Sequence, residues 1–294
     1  MSATSRQHRP EVTVVRKPAV KAGGLKVLVG LCLSAAAGPD LNASGATADW
    51  PAATNVTRRI VERAQQVARA GNATRYSYDK RALVEELDSN GQAVKSTEKY
   101  YSVELIGGLP FSRLVRIGGR ELAEKELERE TRRETEFRDK VTRMNLRRQA
   151  EQGQSWVTQE LVDRFEFVIL KRETVRGRST LVLSFAPKSA PATDGSIQDK
   201  VLTRLAGTVW VDEQDYEVAR LDASLREAIS MGWLGLMGSL NHCQITLDRI
   251  RMPDGVWVNA KQTLWFVARK LFGSLRYRTT EESSQFRPHR SQPK

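Results

Sequence analysis

The chain has 294 residues and a formal net charge of +12, but only 3 His and 2 Cys. That inventory excludes a disulfide framework and leaves too few ligands for a structural zinc centre of the four-cysteine or two-cysteine, two-histidine type. At 40% hydrophobic residues in patterned runs, it is long and apolar enough for one substantial core.

The charge excess is uneven. Residues 1–48 hold six basic and two acidic residues, and residues 261–294 hold eight basic and two acidic ones. The body between them is close to neutral, which argues against nucleic acid as a partner. Within 1–48, Lys21 and Lys26 precede the apolar run Val27-Leu28-Val29-Gly30-Leu31-Cys32-Leu33-Ser34-Ala35-Ala36-Ala37. Eleven residues are too few to span a bilayer, which takes roughly 20. They suit the core of a signal peptide, with Ala46-Thr47-Ala48 as the cleavage site. The expected leader is therefore 1–48, cleaved after Ala48, and the expected compartment is outside the cytoplasm. Cys32 follows Leu31 rather than a small residue, so anchoring through an acylated Cys32 is not expected.

Residues 54–70 predict an amphipathic helix, with Val56, Ile60, Val61, Ala64, Val67 and Ala68 at three- and four-residue spacing. Thr54 is its expected cap, and Gly71 its expected end. From 75 the period becomes two. Strands are expected at 75–87 and 93–106, joined by Asp88-Ser89-Asn90-Gly91, whose Asn-Gly pair suits a tight hairpin. A third strand is expected at 112–117. Residues 121–153 then predict a long helix with nine acidic and nine basic residues and a thin apolar stripe of Leu122, Leu127, Phe137, Val141 and Met144. Further strands are expected at 164–175, 178–186, 205–212, 216–227, 242–252, 256–268 and 275–286. Short turns between long alternating strands predict an antiparallel meander of about ten strands, which curls into a barrel or an open half-barrel.

Chemistry is scarce. His242 is the only histidine of the body, and its neighbour Cys243 points to the opposite face of a strand, so the two cannot form a nucleophile–base pair. Glu85-Glu86, Asp212-Glu213 and Glu281-Glu282 are adjacent carboxylates, but adjacency alone does not make an acid–base site. No phosphate loop or dinucleotide fingerprint is present. No catalytic residue, metal or cofactor is expected. The stretch 230–240 is unusually apolar for a connection between strands, and Trp233, Leu234, Leu236 and Met237 are candidates for the lip of a hydrophobic site. Alternation places Val256, Val258, Leu264 and Phe266 on one face of their strand, and Val209 and Val211 on one face of theirs. These faces are the candidate lining of a cavity for an apolar ligand.

One segment carries a resemblance. Gly207-Thr208-Val209-Trp210-Val211-Asp212-Glu213-Gln214-Asp215-Tyr216-Glu217-Val218-Ala219-Arg220-Leu221 resembles the strand–turn–strand unit of the LolA/LolB-like superfamily of periplasmic lipoprotein carriers. The exported terminus and the helix that feeds the first hairpin fit the same layout over 49–286. The resemblance implies an α+β fold: a curved, open antiparallel sheet with helices packed on its concave side, here with one long charged helix inserted at 121–153. It implies a single domain over 49–294, a periplasmic location and non-enzymatic binding of a lipid or an acylated protein, with peripheral membrane contact in reach. The alternative is an envelope assembly factor that meets a protein partner through the helix 121–153.

Overall fold

The computed structural model describes residues 50–70, 75–148, 157–188, 197–231, 238–270 and 273–289. The expected leader, 1–48, lies outside them, as does Gly71. Helix α1 is Ala53–Arg69, then come strands β1 (Tyr76–Leu87), β2 (Ala93–Ile106), β3 (Leu109–Ile117) and β4 (Arg120–Glu121). Helices α2 (Glu124–Arg148) and α3 (Gln159–Asp163) lead to β5 (Phe165–Val175) and β6 (Arg178–Pro187). After α4 (Ile197–Leu202) come β7 (Leu205–Asp212), β8 (Val218–Leu225), β9 (Ile229–Met231), β10 (Gly238–Arg251), β11 (Trp257–Arg269) and β12 (Ser274–Pro288).

All strands belong to one antiparallel sheet of twelve, not ten. The additional two, β4 and β9, are two and three residues long, too short for alternation to reveal. The order is β4-β3-β2-β1-β12-β11-β10-β8-β7-β6-β5, with β9 on β10. Among the described residues the two ends of that order do not pair, so the sheet is open. It is also not the single meander expected. Two meanders are joined where the first strand meets the last, β1 against β12.

Ion pairs reinforce the backbone ladder across that seam. Arg278 donates to both oxygens of Glu85 at 2.7 and 3.1 Å, and Arg287 donates to Asp79 at 2.7 Å. On the other side of β12, Lys261 reaches Glu282 at 2.8 Å. The basic carboxy-terminal segment thus lies in the middle of the sheet, where β1 and β12 supply carboxylates. Facing pairs of opposite charge stabilise a ladder modestly, by about 0.2–1 kcal/mol each.

One face of the sheet carries the core. Val56 of α1 packs with Phe165, Leu181, Leu183, Phe185, Val209, Val211 and Leu221, and Ile60, Leu161 and Leu202 close in from the three helices α1, α3 and α4. We call this the inner face. The helix begins after Ala52 with no side-chain cap, so Thr54 does not cap it as expected. The Thr54 carbonyl instead accepts the Thr57 hydroxyl at 3.1 Å, one turn inside the helix.

Helix α2 lies along β3. Its extent is Glu124–Arg148, shorter at the start than 121–153 because Arg120 and Glu121 pair back onto β3; 149–153 lie outside the described residues. β4 covers only two residues of β3, so the rest of that edge has unpaired backbone groups. Glu130 accepts the Leu114 N–H at 2.8 Å, and Arg133 donates to the Ser112 carbonyl while also holding Glu130. Phe137 packs on Phe111 with ring centroids 5.1 Å apart. Two charged side chains therefore take the place of a neighbouring strand, one of the ways proteins protect an open edge.

The apolar stretch 230–240 is not a plain connection. Ser230 and Met231 belong to β9, Gly238–Leu240 open β10, and the two pair directly, Gly238 opposite Met231. Residues 232–237, between the two strands in sequence, lie outside the described residues.

Candidate functional site

Strand register determines which side chains share the inner face. Following the pairings from β5 gives one continuous row: Phe167, Phe185, Gly207, Ala223, Ile245, Leu264, Thr279, Val84 and Thr97. It crosses nine strands. Neighbouring strands are about 4.8 Å apart, so the row is close to 40 Å long. Its first half is sealed: Phe185 is 2% and Ala223 0% exposed. Its second half, Leu264, Thr279 and Val84, is only half-buried. Beside Leu264 on the same face, Phe266 packs on Tyr277 of β12 with centroids 5.8 Å apart. Cys243 and Ile245 of β10 separate this half-buried region from the sealed core.

The next row down is polar where it leaves the core. Val209, Leu221 and Leu247 lead to Gln262, Glu281, Ala82 and Lys99. Glu281 accepts from Gln262 at 2.6 Å and from Lys80 at 3.4 Å. Burial, with Glu281 close by, pushes the hydroxyls of Tyr78 and Tyr101 above the usual phenol range. The inner face from β10 to β2 is thus an apolar strip with a polar border.

His242 and Cys243 carry no nucleophilic chemistry. Cys243 is buried, and burial pushes its thiol up to about 11, so it stays protonated and unreactive at neutral pH. His242 packs against Trp265 with ring centroids 4.2 Å apart and the rings tilted, and burial lowers its pKa, keeping it neutral. Among the described residues, no three His, Cys, Asp or Glu side chains gather as a metal site requires.

No family model matches the chain, and no curated protein matches it by sequence. Solved structures do. A DUF1329 family protein from Desulfovibrio piger is 12% identical, with 80% of this chain and 92% of that one covered and a TM-score of 0.30. An outer membrane lipoprotein-sorting protein domain from Vibrio parahaemolyticus is 14% identical over 81% and 95%, with a TM-score of 0.31. A LolA superfamily protein from Nitrosomonas europaea is 10% identical over 81% and 94%, with a TM-score of 0.27. Which side chains a ligand can meet is set by the geometry of this chain's own sheet.

That geometry sorts the residues expected from sequence. Leu264 and Phe266 share the inner face of β11, in its half-buried part. Val209 and Val211 share that face too, but at 2% and 0% exposure they are packed into the core against α1. Val258 does not join them. Asp248 faces Lys261 and Arg249 faces Asn259, so Ala260 is an extra residue, a bulge in β11. A bulge reverses the alternation beyond it. Val258 therefore pairs with Ile250 on the outer face, opposite to Leu264 and Phe266. Trp233, Leu234, Leu236 and Met237 lie outside the described residues. Sequence reasoning missed Ile245, Ala223, Tyr277 and Val84. Each alternates correctly within its strand, but only cross-strand register shows that they form one strip.

Proposed function

We infer that this protein is a non-enzymatic carrier or binding protein for a lipid or a protein-linked acyl chain, held on the inner face between β10 and β1. The observation that supports this reading is the row itself. An apolar strip continues out of a sealed core and stays half-buried where Leu264, Phe266 and Val84 carry it on. Gly207 and Ala223, the two small residues of the row, face the strip's sealed end. The proposed ligand-contact residues are Leu264, Phe266, Ile245, Tyr277 and Val84. Trp233, Leu234, Leu236 and Met237, between β9 and β10 in sequence, belong to the proposal by their composition. The proposed setting is the periplasm, where an acylated protein or a lipid is the partner.

The test uses the two faces of one strand. Leu264→Gln alters the inner face of β11, and Val258→Gln the outer. Each protein is titrated with a fluorescent fatty acid. The expected result is saturable uptake by the parent and by Val258→Gln, with affinity lower by roughly tenfold for Leu264→Gln. That factor corresponds to about 1.4 kcal/mol, the scale of partial burial of one leucine. No uptake by the parent, or equal loss in both variants, refutes the reading.

The second reading, in which the charged helix meets a protein partner, is less well supported. Glu130, Arg133 and Phe137 of α2 are already engaged with the β3 edge. Deleting α2 would expose that edge, so such a deletion no longer reports on a partner alone.

A further inference from the structure

At one end of the sheet three hairpin turns are tied together by ion pairs. The turn between β7 and β8 contributes Asp212, Asp215 and Glu217. Asp212 accepts from Arg178 Nε at 2.6 Å and Nη2 at 2.7 Å. Asp215 accepts from Arg251 at 2.6 Å and from the Trp257 indole N–H at 2.9 Å. Glu217 accepts from Arg249 at 2.8 Å and from Arg63 of α1 at 3.2 Å. Between the turns is a pocket of about 110 Å³ lined by Val175, Arg176, Arg178, Ala219, Arg249, Ile250, Arg251 and Trp257. Four of its eight lining residues are arginines.

Three features mark this pocket as more than a structural ion network. The first is the charge of the lining itself: it holds four arginines and no carboxylate. The second is Arg176. Among the described residues it has no hydrogen bond and no ion pair, yet it occupies a left-handed backbone position, φ 51°, in the β5–β6 turn. That position favours Asn or Gly, so arginine there is a backbone cost without a structural return. The third is preorganisation. The carboxylates hold Arg178, Arg249 and Arg251 from behind, which fixes their guanidinium planes and leaves N–H groups at Arg178 Nη1 and on both terminal nitrogens of Arg251 without an acceptor among the described residues. Asp254, on the neighbouring turn, is directed to the Val256 N–H.

We propose that this pocket binds the terminal phosphate of a phosphomonoester or a free phosphate ion, with Arg176, Arg178 and Arg251 as its ligands and Trp257 as its apolar wall. The size agrees. At ~30 Å³ per water, the volume equals roughly three or four water molecules, enough for one tetrahedral oxyanion and too small for an acyl chain or a nucleoside. Arginine is the residue suited to phosphate because its planar fork donates two parallel hydrogen bonds. The assignment is independent of the acyl-chain reading, because no residue of the pocket belongs to the strip from Ile245 to Val84.

The experiment is calorimetric titration of the full chain at neutral pH with two probes. One is inorganic phosphate, and the other is phosphatidylcholine vesicles containing phosphatidic acid, with pure phosphatidylcholine vesicles as the neutral control. The variant is Arg176→Asn, which removes the guanidinium while easing the left-handed backbone, so it folds at least as well as the parent. Saturable phosphate binding, weakened about tenfold in Arg176→Asn, supports the site and identifies the free ion as sufficient. Silence with phosphate but binding to phosphatidic acid vesicles alone, again weakened in Arg176→Asn, supports it with a lipid headgroup as the source. Neither probe binding, equal binding to both vesicle types without phosphate binding, or an affinity unchanged in Arg176→Asn overturns it.

Discussion

Asp212 should be among the most sensitive positions in the chain. Its residue is 0% exposed, and its carboxylate accepts four hydrogen bonds. Two come from Arg178, and two from the backbone N–H groups of Gln214 and Asp215 at 3.1 and 2.8 Å. Asp212→Ala removes all four. Arg178 retains only Gln214 at 3.2 Å and the more distant Asp215 at 3.5 Å. Breaking a buried pair by deleting one partner costs about 3–5 kcal/mol. The Arg178 side chain keeps 26% of its exposure, which favours the lower end, while the two stranded turn N–H groups add about 1 kcal/mol each if water does not reach them. We therefore expect a loss of roughly 3–5 kcal/mol. In a domain of this size each kcal/mol shifts the melting temperature by about 2–4 °C, so the midpoint should fall by roughly 6–20 °C. Asp212→Asn keeps one oxygen for the turn and should lose about half as much. Urea unfolding followed by tryptophan fluorescence and by circular dichroism, with coincident transitions, measures both. An Asp212→Ala protein within about 1 kcal/mol of the parent, or one as stable as Asp212→Asn, refutes the account of this turn.

Glu126 offers a pH test. The Arg120 guanidinium and then the Ala123 N–H hold its carboxyl down at about 2. A carboxylate with a depressed folded pKa contributes fully above its unfolded value, near 4.3, and its contribution fades as pH falls toward 2. Carbon-detected NMR titration should place the Glu126 midpoint near 2, and Arg120→Ala should return it toward the ordinary range. For Cys243, iodoacetamide at pH 8 should leave the thiol unlabelled in the folded protein and label it in urea, as read by peptide mapping; fast labelling of the native state contradicts its burial. Glu130→Ala frees the Leu114 N–H on the β3 edge, and light scattering should show self-association that the parent lacks.

Local rules read much of this fold from sequence. β2 and β7 begin and end where alternation and turn residues put them, 93–106 and 205–212. The Asp88–Gly91 turn forms as expected because Asp88 accepts the N–H groups of Asn90 and Gln92, and Gly91 takes φ 79°. What alternation cannot see is pairing between distant strands. Tyr277 and Glu86 face each other across 191 positions of sequence, and no local pattern announces it. Nor can it see a bulge. Ala260 differs in no obvious way from its neighbours, yet it puts Val258 and Leu264 on opposite faces. Nor can alternation see a very short pairing: within 230–240, Ser230 and Met231 pair with Ser239 and Gly238 across β9 and β10, over too few residues for a period to show.

The segment that carries the family resemblance, 207–221, turns out to have two separable jobs. Its inward residues, Gly207, Val209, Val211 and Leu221, build the sealed core under α1. Its turn residues, Asp212, Asp215 and Glu217, organise the arginines of three hairpins. Neither set touches the half-buried strip. A resemblance confined to such a segment therefore speaks for how the sheet is built, while the proposed ligand contacts lie on β10, β11, β12 and β1. There the chemistry is graded. From Ala223 on β8 to Val84 on β1 four strand spacings separate the ends, about 19 Å. One row along that distance is apolar up to Thr279, and the adjacent row carries Gln262 and Glu281, with Lys80 reaching Glu281 from the row beyond. An acyl chain lying across the strands would bury methylenes against the first row while the second keeps its hydrogen bonds. A chain running along a strand would have to cross Glu281 or Gln262 and take their remaining polar surface out of water, although the two keep each other as partners. For an acyl chain in the proposed site, the less costly path therefore runs across the strands rather than along them.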